Sequence, residues 1–477
     1  MTIPITGALI LIMGVMFFFV SPKLLYAATI VSIPFSATAV ANVGWGGTEK
    51  GVSAWLFLST LWVFRQIVSG LPPWHTPGWL SSRRARWGLL AFLGAVVASL
   101  SAPLLLNGTA WVPDPLLASN EMVPLRFGMY NLTQTAYLAF GVLLAVFVAA
   151  ENCRSARLVY TLKLYVGSCA FAAAWGLFEL WCDVSGHAYP AYIFNTNAGE
   201  SAQGFMEVLD LAEGALARIS SVALEPSVLA QELLLAFVVL VVGLGLRRPL
   251  LGKKWDYAVL ALIATTLLAS TSSTAYAGIV AAMVVASVAL SRAGRPWKPY
   301  LIMAGTAVGA GALVTTMVPL AGQVVNMMVL TKFESGSGIE RLRSIELAAQ
   351  DFMRFPLLGT GWHTVNSTDL VFLILANTGL VGLIAFGSFL LPVLRDLWMS
   401  AKEGKLAGAV LLSAVALMVL LAEAVGLTYA AGYIWLVFGL GAAAVIAARG
   451  EPALETKERF GASHRRMATS KPAQGTC

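Results

Sequence analysis

Apolar residues gather along this chain in runs of about 20, the length at which a helix crosses a hydrocarbon core about 30 Å thick. The runs cover residues 3–20, 24–41, 52–68, 87–106, 129–150, 158–181, 227–246, 255–270, 275–290, 299–319, 370–394, 406–425 and 430–448. Short polar clusters separate them, and the tight connection at 270–275 predicts that the eighth and ninth runs form a hairpin. The pattern predicts an all-α polytopic membrane protein with about 12 to 13 transmembrane helices.

Composition agrees with that pattern. Of 477 residues, 58% are hydrophobic and 12% charged, whereas soluble domains carry about a quarter charged residues. The formal charge of +7 does not point to nucleic acid, because Lys and Arg sit between apolar runs in clusters. Examples are Arg83, Arg84 and Arg86, and Arg247, Arg248, Lys253 and Lys254. This is the positive-inside pattern. It sets the N-terminus outside and the C-terminus in the cytoplasm. With that orientation most of the 31 basic residues fall on the inner side and most of the 24 acidic ones on the outer.

Residues 1–450 read as one multi-span membrane domain, and 451–477, polar and without apolar periodicity, as a flexible cytoplasmic tail. The first run lacks a basic leader and a small-residue cleavage site, so it reads as a retained span rather than a signal peptide. Cys153, Cys169, Cys182 and Cys477 show no metal spacing and no disulfide framework.

Two outer loops are long, 183–225 and 320–369, and long loops with internal patterning are often functional. In the first, Gln203 to Ile219 places Phe205, Val208, Leu209, Ala212, Leu216 and Ile219 on one face of an expected interfacial helix. In the second, Ile339 to Phe355 is expected to be helical, with Leu342, Ile345, Ala349 and Phe352 as its apolar stripe. Arg341 and Arg343 then stand near its start, where cations oppose the helix dipole unless an anion compensates.

Topology delivers the chemistry-bearing residues to the outer face. Arg218 suits either a headgroup contact, or pairing with Glu225, or a diphosphate clamp, since a guanidinium fork matches phosphate oxygens. Glu225, before Pro226, reads either as a helix cap or as a base that takes a proton from a sugar hydroxyl. Arg341 and Arg343 are further candidate phosphate ligands, and Tyr276 is either an interfacial aromatic or part of that site. His363 and Asp369 are alternative bases, against readings as a loop histidine and a helix cap. Glu179, Glu232 and Glu423 fall inside apolar runs, where a carboxyl is neutral, paired or cavity-lining. No nucleotide loop or metal-ligand cluster is legible.

Four short pieces resemble bacterial O-antigen ligases and the related polysaccharide and exopolysaccharide polymerases. They are Arg218 to Ser227, with Glu-Pro-Ser closing it; the Ser/Thr-rich hairpin Leu267 to Gly278; Arg341 to Gly361, ending in Pro-Leu-Leu-Gly-Thr-Gly; and Thr368-Asp369 through Gly379 and Gly382. The resemblance implies a C-type glycosyltransferase-like fold in a bacterial inner membrane. It implies glycan transfer from an undecaprenyl-diphosphate-linked donor to a lipid-linked repeat unit, with no metal and no other cofactor. Undecaprenyl-diphosphate oligosaccharides, the bilayer, and a flippase and chain-length regulator of a polysaccharide pathway are the implied partners. Where ligases carry His-Asn this chain has Thr368-Asp369. That departure, with the Glu-Pro-Ser, favours a polymerase over a ligase that transfers to lipid A-core. A transporter is the remaining alternative, and it predicts inverted repeats that the sequence does not display.

Overall fold

The computed structural model describes residues 1–45, 48–69, 83–114, 121–198, 208–211, 214–317, 336–426 and 431–450. The expected tail 451–477 and the expected loop segments 199–207 and 318–335 lie outside the described residues. The chain opens with helices α1 (Ile5–Val20) and α2 (Pro22–Ser32), a hairpin of β1 (Ala39–Trp45) and β2 (Thr48–Ser53), and α3 (Ala54–Val68). Then come α4 (Arg83–Ser99), the short α5 (Ser101–Leu105), a second hairpin of β3 (Trp111–Pro113) and β4 (Met122–Pro124), α6 (Met129–Glu151) and α7 (Ser155–Ser185). A third hairpin, β5 (Val208–Leu211) with β6 (Gly214–Ala217), leads into α8 (Pro226–Gly245), α9 (Lys253–Ala269), α10 (Ser273–Arg292) and α11 (Lys298–Met317). The last elements are α12 (Gly336–Arg354), α13 (Leu370–Lys402), α14 (Leu406–Val425) and α15 (Gly432–Gly450).

Among the described residues seven helices are long and apolar enough to cross a membrane: the α4–α5 unit, α6, α7, α8, α10, α13 and α14, with α1, α3 and α15 as shorter apolar helices. Their surfaces are unlike those of a soluble bundle. Ile12 is 62% exposed, Phe19 76% and Leu391 66%, and a contiguous apolar exterior of this kind suits lipid rather than water. Helix α8 is the exception, since it is apolar all round and buried on nearly every side, the signature of a central helix. It packs against α7, α9, α10 and α14, while α4 lies along α13 and α15 along α6. Glycines permit the closest crossings. A Cβ on Gly88 would stand 2.4 Å from the backbone of Phe389, so α4 and α13 meet nearly backbone to backbone.

Three expectations are corrected. The run 24–41 does not form one helix: α2 ends at Ser32 and the chain turns into β1, whose Trp45 pairs with Thr48. Pro34 interrupts the helix, and Gly46-Gly47 is a two-residue hairpin signal. The interfacial helix expected up to Ile219 is instead an antiparallel hairpin over 208–217, with Leu211 paired to Gly214. Val-Leu-Asp-Leu suits a period of two, and Gly214 disfavours a continuous helix. Helix α12 forms as expected but is rotated: Leu342 is exposed, and Ala348 and Asp351 are the buried positions, packed towards Val112, Leu125, Val365 and Ala376. The β3–β4 hairpin supplies part of this shelf through Val112 and Leu125, which apolar run length alone does not register.

Helix α13 is split. Gly379 has φ 66° and ψ −166°, a conformation essentially reserved for glycine, so the helix stops at Thr378 and restarts at Leu380. A break leaves backbone groups that lipid cannot satisfy, and the preceding chain satisfies them. The amides of Thr360 and Gly361 donate to Ala376 O at 2.8 Å and Asn377 O at 3.1 Å. In return Leu380 and Val381 donate to Pro356 O at 2.9 Å and Leu357 O at 3.3 Å. Asn377 locks the strap in place: its Oδ1 accepts from Thr364 N at 2.9 Å and Val365 N at 3.1 Å, and its Nδ2 donates to Val365 O at 2.8 Å and Leu373 O at 2.7 Å. Gly359 and Gly379 are required here, because a Cβ on either would fall within 2.4 Å of the opposite backbone.

Charge is divided between the two ends of the bundle. Basic clusters occupy the α3–α4, α6–α7, α8–α9, α10–α11 and α13–α14 connections. At that end a buried ring of Tyr26, Thr161 and Asn152 joins α2 to α7 through bonds of 2.6 to 2.8 Å. The candidate site lies at the other end.

Candidate functional site

Four of the residues singled out from sequence meet at the starts of α8 and α10. Arg218, half-buried, lies in the electrostatic field of Glu225, Tyr276 and Arg341, and Arg341 lies in the field of Glu225. They come from three parts of the chain: the connection before α8, the start of α10, and α12. Arg218 follows β6, Glu225 immediately precedes α8, Tyr276 is in the first turn of α10, and Arg341 is in α12.

The segment from Arg218 to Glu225 is an arch whose middle is buried and whose ends reach the surface. Ile219 to Ala223 are at most 1% exposed, and Glu225 is exposed. Ser221 adopts φ 56°, outside the range an L-residue prefers, so its neighbours must hold it. They do so on three sides. Ser221 N donates to Glu179 Oε2 at 2.6 Å, and Ser221 Oγ donates to Ala172 O at 2.6 Å, both on α7. Ala37 N donates to Val222 O at 3.0 Å, and Leu224 N donates to Ser36 Oγ at 3.2 Å. Tyr189 Oη donates to Ser221 O at 3.3 Å.

Glu225 precedes a proline, which keeps it extended at φ −143° and ψ 156°. Its side chain makes no cap to the helix backbone and instead accepts from Ser227 Oγ at 3.0 Å. The Glu-Pro-Ser triplet thus presents an exposed carboxylate at a helix mouth, held by Ser227 rather than by the helix amides. Burial lowers the pKa of both Arg218 and Arg341; the Glu225 charge opposes that shift at both, and the Arg341 charge adds to it at Arg218. A guanidinium stays protonated under such shifts, so the arrangement is two fixed cations and a carboxylate sharing one field. Tyr276 Oη donates to Leu268 O at 3.1 Å across the α9–α10 hairpin, which sets the ring beside Arg218.

The other candidates occupy different surroundings. Asp369 caps α13, its Oδ1 accepting from Phe372 N at 2.8 Å, and its carboxyl is hydrogen-bonded to that of Glu423 at the end of α14. His363 is buried, with φ 60°, and its ring packs edge-on against Tyr130 and Trp362 at centroid distances of 5.3 and 5.8 Å. Burial pushes its pKa down to about 4. Arg343 is exposed, on the outer side of α12. Helix α12 is tied to the entry of α13 one turn beyond Arg341, where Ser344 Oγ lies 3.3 Å from Thr368 Oγ1. Among the described residues no group of three or more His, Cys, Asp or Glu is placed to hold a metal ion.

Compared with known proteins, the chain matches no family model and no curated sequence. The geometry therefore carries the functional argument by itself. Sequence reasoning left Glu179 as an isolated carboxyl in an apolar run and passed over Tyr189 and Asn377. Their signal was present but generic: a polar side chain where an apolar one is expected, two residues before Gly379 for Asn377 and in the last turns of α7 for Glu179.

Proposed function

We propose that the protein is a metal-independent membrane glycosyltransferase of polymerase type. It transfers a glycan from an undecaprenyl-diphosphate-linked donor to a lipid-linked repeat unit of an O-antigen or exopolysaccharide. The observation that carries this reading is the meeting of Arg218 and Arg341, from distant parts of the chain, around Glu225. Two guanidiniums at the membrane surface suit a diphosphate, which offers oxygens to both forks. The basic end of the bundle faces the cytoplasm by the positive-inside rule, which puts this site on the extracytoplasmic face of a bacterial inner membrane.

In the reaction, an acceptor hydroxyl oxygen forms a bond to the anomeric carbon while that carbon's bond to the diphosphate oxygen breaks. The diphosphate leaves with the electron pair, and Arg218 and Arg341 stabilise the charge it gains. Tyr276 borders Arg218 and shapes the donor side. The hydroxyl proton passes to Glu225, which is exposed beside both arginines. Asp369 is engaged with the Phe372 amide and Glu423, and the His363 ring packs against two aromatics, so both are weaker choices as base. Arg343 contributes long-range attraction for the anionic headgroup. A flippase delivering the donor and a chain-length regulator are the partners this reaction needs.

The test is incubation of the purified full-length protein with defined undecaprenyl-diphosphate oligosaccharides, followed by mass and linkage analysis. Polymer on the lipid carrier supports the proposal; transfer only to lipid A-core converts it to a ligase, and movement across vesicles without a new linkage makes it a transporter. Arg218→Ala and Arg341→Ala should each lower kcat/KM by about 100-fold, the usual cost of removing a charge stabiliser. Unaltered polymer from either variant would remove that arginine from the site.

A further inference from the structure

We infer that Glu179, through its hold on the Ser220–Ser221 peptide, is a positioning residue that sets Arg218 and Glu225 at the separation the ligand requires. This rests on the reading of those two residues as ligand groups.

Three observations support it. First, Glu179 holds the strained point of the arch. The Ser221 amide donates to its Oε2 at 2.6 Å, and the Ser220 amide adds a second backbone donor to the same carboxylate. Two backbone amides thus converge on one carboxyl, and Ser221 at φ 56° needs such restraint. Second, α7 lies flush against the arch at the position that delivers Glu179. Gly176 is three residues earlier on the same helix face, and a Cβ there would stand 2.9 Å from Ile219 Cγ2 and 3.3 Å from Ser221 Cβ. Third, the arch is short and its middle is immobilised. Arg218 is two residues before Ser220 and Glu225 four residues after Ser221, so an error at the centre is carried to both charged ends. A displacement of about 1 Å at a reacting group costs about 100-fold in rate.

A carboxylate that only stabilised the fold would lower the amount of folded protein and leave the surviving site unchanged. A positioning carboxylate changes the site itself. The geometric readout uses full-length protein with Arg218→Cys and Glu225→Cys, the two ends of the arch, in a background whose four native cysteines are replaced. Bis-methanethiosulfonate spacers of graded length then report how the two positions are spaced. With Glu179 present, one short spacer should dominate. Glu179→Gln keeps an acceptor oxygen for Ser221 N and should keep that profile, whereas Glu179→Ala should broaden it towards longer spacers. A Glu179→Ala profile identical to that of the parent overturns the inference.

The second readout is binding of farnesyl diphosphate against farnesyl monophosphate, in protein that retains Arg218 and Arg341. Glu179→Ala should lose about tenfold of the diphosphate preference, about 1.4 kcal/mol, and Glu179→Gln, which keeps an acceptor, should lose little of it. Adding Arg218→Ala to Glu179→Ala should cost no more than Arg218→Ala alone; additive losses overturn the positioning role. If Glu179→Ala does not fold, Tyr189→Phe removes a milder restraint on the same arch, the bond to Ser221 O, and should shift both readouts in the same direction. A parent protein with no diphosphate preference rejects the proposed substrate, and the spacer profile then decides the role of Glu179 by itself.

Discussion

Replacing Asn377 by alanine tests whether the split in α13 is held by side-chain hydrogen bonds or merely by packing. Asn377 is 1% exposed, and it is the acceptor for the buried amides of Thr364 and Val365. In the alanine variant Thr364 N would keep Gly361 O at 3.1 Å, but Val365 N would lose its acceptor and Val365 O its donor, in surroundings closed to water. An unsatisfied buried polar group costs about 1 to 3 kcal/mol, so the two groups of Val365 should cost about 2 to 6 kcal/mol before any loss of packing. Thr378→Ala is the matched control, because among the described residues the Thr378 hydroxyl bonds to Ile374 O within its own helix turn, a loss of about 1 kcal/mol or less. The assay is thermal unfolding of the purified protein in detergent, followed by tryptophan fluorescence. Asn377→Asp adds a second arm: it keeps an acceptor for the amides but aims an oxygen at Val365 O and Leu373 O in place of the amide donor. That variant should be less stable than the parent, because the new oxygen faces two carbonyls where the amide donor stood. A midpoint for Asn377→Ala within about 1 °C of Thr378→Ala would refute the reasoning, since the expected difference amounts to several degrees.

Three further outcomes are expected. His363 has a folded pKa of about 4 against 6.5 for the free side chain, so its contribution is present above pH 6.5 and is lost as pH falls towards 4; stability should drop by about 3 kcal/mol across that window, less so in His363→Gln, as read by pH-dependent melting. Asp351 behaves oppositely: burial raises its pKa from 3.8 to about 6, so its contribution is present below pH 3.8 and lost as pH rises through 6. Asp351→Asn should therefore raise the melting midpoint at pH 8 and leave it unchanged near pH 3.5. Gly379→Ala places a Cβ 2.1 Å from Leu357 O at a positive φ, while Gly387 has open space around it; the first substitution should abolish monodisperse protein in size-exclusion chromatography and Gly387→Ala should not.

Long-range order was legible in the sequence where hydropathy alone decides it. Every apolar window except the second coincides with a helix, because burial in lipid selects for run length and little else. The second window failed because Val40 and Ala41 are equally apolar as strand residues, and only Pro34 and Gly46-Gly47 distinguish the two cases. Period-counting failed for the segment ending at Ile219 for a related reason. Leu209, Leu216 and Ile219 satisfy a helical spacing, yet backbone pairing of Leu209 with Leu216 places them across a hairpin. At the site, Arg218, Glu225, Tyr276 and Arg341 were legible as charged or polar groups flanking apolar runs, and tertiary packing brings them together. The roles of Glu179, Tyr189 and Asn377 were not legible, since each acts on backbone atoms of a segment distant in sequence or folded back on it. Backbone partners leave no trace in residue type.

The order of synthesis gives the broken helix a further meaning. Its carbonyls at Ala376 and Asn377 would face hydrocarbon unsatisfied if α13 entered the bilayer alone, an expensive arrangement for any spanning segment. The residues that satisfy them, Thr360 and Gly361, lie upstream and leave the ribosome first. The strap can therefore wait at the membrane surface and close onto the gap as the helix arrives, so that residues 356–381 enter as a single unit. Insertion and the joining of α12 to α13 become one event, and Arg341 is delivered to its place when the spanning helix is completed.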